Sequence, residues 1–163
     1  MADRTADIIH KTSPRAGRES FIIADGVAIG IGALVQLEGG YLNHWSSAKA
    51  NTFLGIMIGG KDRANDGVIT GETSDTPAVE GYVDSSGVTL MHMDIGGSPT
   101  QAKVGDLVYC ADSDTASMTL TDPTGDNPPV GRVVRYRTAD DVDVQLFTPA
   151  EYHAGIADNT WIA

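Results

Sequence analysis

Polar and apolar positions alternate with a period of two along most of the chain, and the apolar runs are short. Phe21-Ile22-Ile23 stops at Asp25-Gly26, and Ala33-Leu34-Val35-Gln36-Leu37 stops at Gly39-Gly40. Each reads as a strand followed by a turn, because Asp-Gly and Gly-Gly supply the backbone angles that a chain reversal needs. Phe53-Leu54-Gly55-Ile56-Met57-Ile58 is apolar without interruption, so it should be buried on both faces. Residues 59–77 are polar and read as a long surface loop with a brief strand at Val68-Ile69. The stretches 78–83 and 88–93 flank Asp84-Ser85-Ser86-Gly87 and read as a hairpin. Strands at 106–111, 130–136 and 142–148 complete the set.

Beyond residue 20, only 41–54, 106–122 and 132–148 run longer than about a dozen residues without Gly or Pro, the minimum window for a stable helix. In the last of these, Val142, Val144 and Leu146 alternate with Asp143 and Gln145, a strand pattern. The second is rich in Asp, Ser and Thr, which favour turns. Only 41–54 has room for a short helix, capped by Ser46 or Ser47. The expected fold is therefore all-β: a small β-barrel or β-sandwich module, built as two related lobes, with an extended N-terminal arm and little helix.

A short internal repeat supports the two lobes. Gly32-Ala33-Leu34-Val35-Gln36-Leu37 resembles Gly105-Asp106-Leu107-Val108-Tyr109-Cys110, and Leu54-Gly55-Ile56-Met57-Ile58 resembles Val130-Gly131-Arg132-Val133-Val134. Glycine inside the second strand of each half permits the bulge or tight bend that closes a small barrel. This divides the chain into an arm at 1–18, a β-rich body at 19–148 and a tail at 149–163. The body has sub-lobes at about 19–60 and 101–148, joined by the loop and hairpin of 61–100.

Composition agrees with strand and turn. Glycine makes up 19 of the 163 residues, well above the usual ~7%, and is scattered as turn punctuation. A chain of this length buries roughly 70% of its unfolded surface and needs no staple to fold. Its 22 acidic side chains against 11 basic ones give a net charge of −11. That excess argues against nucleic acid and anionic membrane, which require clustered Lys and Arg. The charge is uneven. Arg4, Lys11, Arg15 and Arg18 lie in the arm, which is net positive, whereas 104–131 carries acids and no base.

Chemistry-bearing motifs are weak. Gly55 to Lys61 has the spacing of a phosphate loop, but Asp62 stands where Ser or Thr should hold magnesium, and the strand lies inside the motif instead of before it. The four histidines, His10, His44, His92 and His153, show no metal-ligand spacing. Asp112 and Asp114 begin like a calcium loop without its central Gly and closing Glu, and so read as a solvated turn. Cys110, the single cysteine, sits in an apolar alternation where a buried, inert thiol is expected. No Gly-Xaa-Ser-Xaa-Gly elbow is present. The sequence thus points to a structural or binding role, with no enzyme, cofactor or metal expected.

The succession Arg18-Glu19-Ser20-Phe21, Asp25-Gly26-Val27, Gly32-Ala33-Leu34-Val35, Gly39-Gly40-Tyr41, Phe53-Leu54-Gly55, Val88-Thr89-Leu90 and Val104-Gly105-Asp106-Leu107-Val108-Tyr109 resembles the bacteriophage capsid decoration, or cement, proteins over residues 18–148. That resemblance implies a β-rich homotrimer on the outer surface of an icosahedral virion, bridging capsomers, with an N-terminal arm that pairs with the major capsid protein. The arm residues expected to bind the capsid are Arg4, Ile8, Ile9, Lys11, Arg15 and Arg18. Tyr41, Trp45 and Trp161 are expected as subunit contacts. The chain is longer than the smallest family members by the 59–77 loop and the tail. The alternatives are another phage head or tail component, and a glycan-binding β-barrel whose pocket would use Tyr41, His44, Trp45 and Trp161.

Overall fold

A computed structural model describes residues 18–60, 67–123 and 125–158. The fold is mostly β, in three antiparallel sheets, with one α-helix among the described residues. Its strands are β1 (Arg18–Ile22), β2 (Ala28–Gly30), β3 (Leu34–Glu38), β4 (Tyr41–His44), β5 (Thr52–Gly60), β6 (Val68–Thr70), β7 (Glu80–Asp84), β8 (Thr89–Met93), β9 (Leu107–Val108), β10 (Gly131–Thr138) and β11 (Asp141–Leu146). The helix α1 spans Pro149–Asp158. The sheets run β1-β7-β5-β3-β4, β8-β11-β10-β9 and β2-β6.

The first two sheets are the same structure built twice. β1, β7, β5 and β3 take the places of β8, β11, β10 and β9, in the same order and all antiparallel. Val35 pairs with Gly55 as Val108 pairs with Gly131. The Gly32 amide donates to the Met57 carbonyl at 2.8 Å, and the Gly105 amide to the Val133 carbonyl at 2.7 Å. The register slips after Met57 in one sheet and after Val133 in the other. Each sheet also closes on itself. The Ala24 amide donates to the Leu42 carbonyl at 3.0 Å, and the Gly96 amide to the Met118 carbonyl at 2.9 Å, so the chain leaving the edge strand crosses to the far edge of its own sheet. The result is two small barrels, the first built from β1–β7 and the second from β8–β11.

The same register matches the two hydrophobic cores. Ile23, Val35, Leu42, Leu54, Met57 and Val83 belong to one, and the corresponding Ile95, Val108, Met118, Val130, Val133 and Val144 belong to the other. Burying residues on one face of every strand is the main source of stability in such a barrel, at roughly 1.5–3 kcal/mol per large side chain. The run at 53–58 is buried on both faces because β5 serves both cores: Leu54 and Met57 point into the first, while Phe53 and Ile56 pack into the second.

Gly55 and Gly131 occupy matching positions. A Cβ at Gly55 would overlap the Asp84 carbonyl oxygen, and one at Gly131 would overlap the Gln145 carbonyl oxygen. Gly55 also has φ +134°, a region L side chains rarely adopt. Glycine is required because the neighbouring strand's backbone passes directly over each position.

Several sequence expectations need correction. The 41–54 window carries no helix: Tyr41–His44 is strand β4, and β5 starts at Thr52. Short-range reading missed β4 because only Leu42 in it is fully buried. The 78–93 hairpin does not form. β7 pairs with β1 and β5 and β8 with β11, so 85–88 carries the chain from one barrel to the next. The brief strand expected at Val68-Ile69 is present as β6, which pairs with β2 and sets Ile69 in the first core. Residues 149–158, read as part of a tail, form a helix whose Tyr152 lies in the second core.

Candidate functional site

The two barrels meet along a seam formed by β3, β4 and β5 on one side and by the 110–117 segment with α1 on the other. Trp45 leaves β4 and enters the second core, 1% exposed. Its ring meets Phe53 at 5.1 Å and Tyr152 at 5.8 Å, both edge-on, the arrangement that the ring quadrupoles favour. Its Nε1–H donates to the Cys110 carbonyl at 2.7 Å. Trp45 is therefore a seam residue and is not available as a subunit contact or as the wall of a glycan pocket. Tyr41 is at the surface, 44% exposed, where the β3–β4 turn ends. Trp161 and the arm residues Arg4, Ile8, Ile9, Lys11 and Arg15 lie outside the described residues. Arg18 begins β1, paired in register with Asp84.

A shallow cleft opens at the seam between Gly32, Ala33 and His44 of the first barrel and Ser113, Asp114 and Thr115 of the second. His44 Nε2 lies 2.7 Å from the Ala28 carbonyl oxygen, and Nδ1 lies 3.1 Å from Ser113 Oγ. A carbonyl can only accept, so Nε2 carries the proton and the Ser113 hydroxyl donates to Nδ1. Nδ1 thus ties the 110–117 segment to the first barrel, while Nε2 holds the ring against β2 within that barrel. Asp112 accepts from the Asp114 amide at 2.9 Å, and Asp114 from the Ala116 amide at 2.9 Å. The Asp114 carboxylate caps a short 3-10 turn at Thr115–Ser117, and that of Asp112 fixes the residue that caps it. Among the described residues, no three His, Cys, Asp or Glu side chains cluster as a metal site.

Cys110 is buried, and that burial pushes its thiol up to about 11. Its Sγ–H points at the Asp114 carbonyl, 3.2 Å away. A thiol in this state is a packing residue, since the thiolate is the reactive form. The glycines of the phosphate-loop spacing fall on strand: Gly55, Gly59 and Gly60 all lie within β5, and Lys61 and Asp62 lie outside the described residues.

The strongest charge network spans the second barrel's sheet. Arg137 on β10 clamps Asp143 on β11, with Nη2 donating to Oδ2 at 2.9 Å and Nη1 to Oδ1, and Nη1 also reaches Asp141 at 3.3 Å. The His92 amide donates to Asp143 at 3.1 Å. The Arg137 guanidinium, then this amide, hold the Asp143 carboxyl below the usual carboxylate range. The linkage follows from that direction. Asp143 contributes stability above the ordinary carboxylate value and loses it as pH falls through its own lowered value. Asp143→Asn should therefore melt lower than wild type at neutral pH, and the difference should shrink as the solution is acidified. Thermal melts from neutral to acid pH would check this; a gap that stays constant with pH would refute it.

One exposed face combines apolar and basic groups. On the outside of the second barrel, Val134 is 40% and Val104 38% exposed, Leu107 is half-buried beside them, and Arg132 and Arg135 are exposed on β10. The Arg132 guanidinium lies over the Phe147 ring, 5.3 Å from its centroid. Sequence reading missed this face because β10 was considered only as a barrel strand. The signal was its outward set Arg132, Val134 and Arg135 in an otherwise acidic region. Compared with protein-family models, curated proteins and solved structures, the chain matches none.

Proposed function

We propose that this chain is a structural virion protein that decorates the exterior of an icosahedral phage head, as a trimer that bridges capsomers and performs no chemistry of its own. The observation that carries this reading is the order of parts along the chain. An arm bearing Arg4, Lys11, Arg15 and Arg18 around Ile8 and Ile9 precedes a firmly packed, acidic two-barrel body. The residues that carry the family resemblance support it too, since Phe21, Leu34, Val35, Phe53, Leu90 and Val108 fall on framework strands of the two barrels.

The mechanism is strand addition with avidity. β1 is an edge strand, with β7 on one side over Arg18–Ile22, so the arm departs from the rim of a sheet. An arm that adds a strand to the major capsid protein loses conformational freedom, and backbone hydrogen bonds with burial of Ile8 and Ile9 must offset that loss. Its basic groups would meet acidic patches on the capsid, while the acidic body repels its neighbours and stays soluble. Three arms on one body raise the effective concentration of each, which commonly strengthens binding by 10²–10⁴-fold.

Deleting residues 2–17 should leave the melting temperature of the body unchanged and weaken co-sedimentation with capsids by roughly 100-fold or more. Capsid binding that survives the deletion would sink the arm model. Cryo-electron microscopy of decorated heads should place density at three-fold and quasi-three-fold positions; density at a vertex or on the tail would favour a different virion component.

A further inference from the structure

The duplication makes a prediction about the open face of the second barrel. In the first barrel, the outer face formed by Leu34, Phe53 and Ile56 is covered by the second barrel. The segment that covers it is the connection following β9, residues 110–117: the Leu34 amide donates to the Ser113 carbonyl at 2.9 Å, and Trp45 Nε1 donates to the Cys110 carbonyl. By register, Leu107, Arg132 and Val134 stand on the second barrel where Leu34, Ile56 and Ile58 stand on the first, and Val104 stands where Ile31 does. Among the described residues none covers that second face, and it is where Val104, Val134 and Arg132 are exposed.

The first barrel's counterpart of the covering segment is the connection following β3, residues 38–41. It is exposed throughout and carries one acid, Glu38, and one aromatic, Tyr41. We propose that a second copy of this chain seats its 38–41 turn on the Leu107, Arg132 and Val134 face, repeating between chains the barrel-to-barrel contact made within each chain. The chemistry is complementary: Glu38 meets Arg132, which Phe147 already holds in place, and the Tyr41 ring meets Val104 and Val134. On a body this acidic, two copies repel at long range, so an acid placed against one of the few exposed bases sets the register of approach.

The contact joins unlike surfaces, so it is heterologous and must close into a ring or run on as a filament. A ring of three is the arrangement the decoration reading requires; the inference rests on that reading for the number of subunits and on the duplication for the contact.

Light scattering and sedimentation velocity on the full chain over a dilution series test it. Wild type should run as a closed oligomer. Arg132→Glu and, separately, Val134→Asp should run as monomers with near wild-type melting temperatures, and Glu38→Arg combined with Arg132→Glu in one chain should restore the oligomer. A wild type that is monomeric at every concentration, or an oligomer that survives both single changes, would overturn the proposal. Capsid co-sedimentation separates the two readings, since an oligomer built as described that fails to bind heads would refute the decoration role and leave the contact standing.

Discussion

Gly55→Ala and Gly131→Ala should each destabilise the protein by roughly 3–5 kcal/mol, combining overpacking against a backbone carbonyl with, at Gly55, an unfavourable φ. The new methyl group has nowhere to go. At both positions the obstructing atom is a carbonyl oxygen of the next strand, Asp84 in the first barrel and Gln145 in the second, and it cannot turn aside as a flexible side chain could. Against a typical total of 5–15 kcal/mol, this is a fall in melting temperature of about 10 °C or more for a chain of this size. Gly39→Ala is the control, because its φ is +59° but nothing lies within 4 Å of the added Cβ; it should cost only about 1–2 kcal/mol. If all three variants melted together, the close strand approach at Gly55 and Gly131 would be refuted.

These glycines also show what could be read from the sequence. Gly32-Ala33-Leu34-Val35 and Gly105-Asp106-Leu107-Val108, with Gly55 and Gly131 downstream, are the repeat's visible remnant, because backbone geometry restricts those positions most. The rest of the duplication keeps only size and polarity, as in Leu42 with Met118 or Met57 with Val133. Its spacing changes with every connection: the two-residue turn Gly39-Gly40 answers to the longer 110–117 segment, and the β5–β7 connection containing β6 answers to the two-residue turn between Thr138 and Asp141. Pattern matching along the chain therefore saw two fragments where hydrogen bonding in space repeats a whole barrel.

The candidate surfaces were less legible. Trp45 drew attention as an aromatic in a polar stretch, yet aromaticity alone does not distinguish a seam from a surface. What decides it is the apolar company of Phe53 and Tyr152, distant in sequence. The helix, by contrast, had a readable signal. Thr148-Pro149-Ala150-Glu151 is a capping box with proline at the first helical position. The structure forms both of its bonds, with the Thr148 amide donating to Glu151 at 3.0 Å and the Glu151 amide to Thr148 Oγ1 at 3.1 Å. Proline and the later Gly155 had counted against a helix, whereas at the start of one proline is favoured.

Tyr152→Ala should destabilise the chain by about 3–5 kcal/mol, the usual range for removing a large aromatic from a core. Tyr152 has no exposed surface, and burial raises its phenol well above the ordinary tyrosine value. The loss should fall on both barrels. Tyr152 stacks edge-on with Trp45 from the first barrel while sharing a core with Val133, Val144 and Leu146 of the second, so the helix fastens the seam from outside. Thr148→Ala, which removes only the reciprocal cap, should cost about 1 kcal/mol. In a Trp161→Phe background, urea unfolding followed by tryptophan fluorescence reports the seam directly through Trp45, and circular dichroism follows the sheets. In Tyr152→Ala both signals should move together to a lower midpoint. A fluorescence transition that separates from the sheet transition would mean the barrels fold independently of the seam, and a wild-type midpoint would mean that the helix merely rests against a body complete without it.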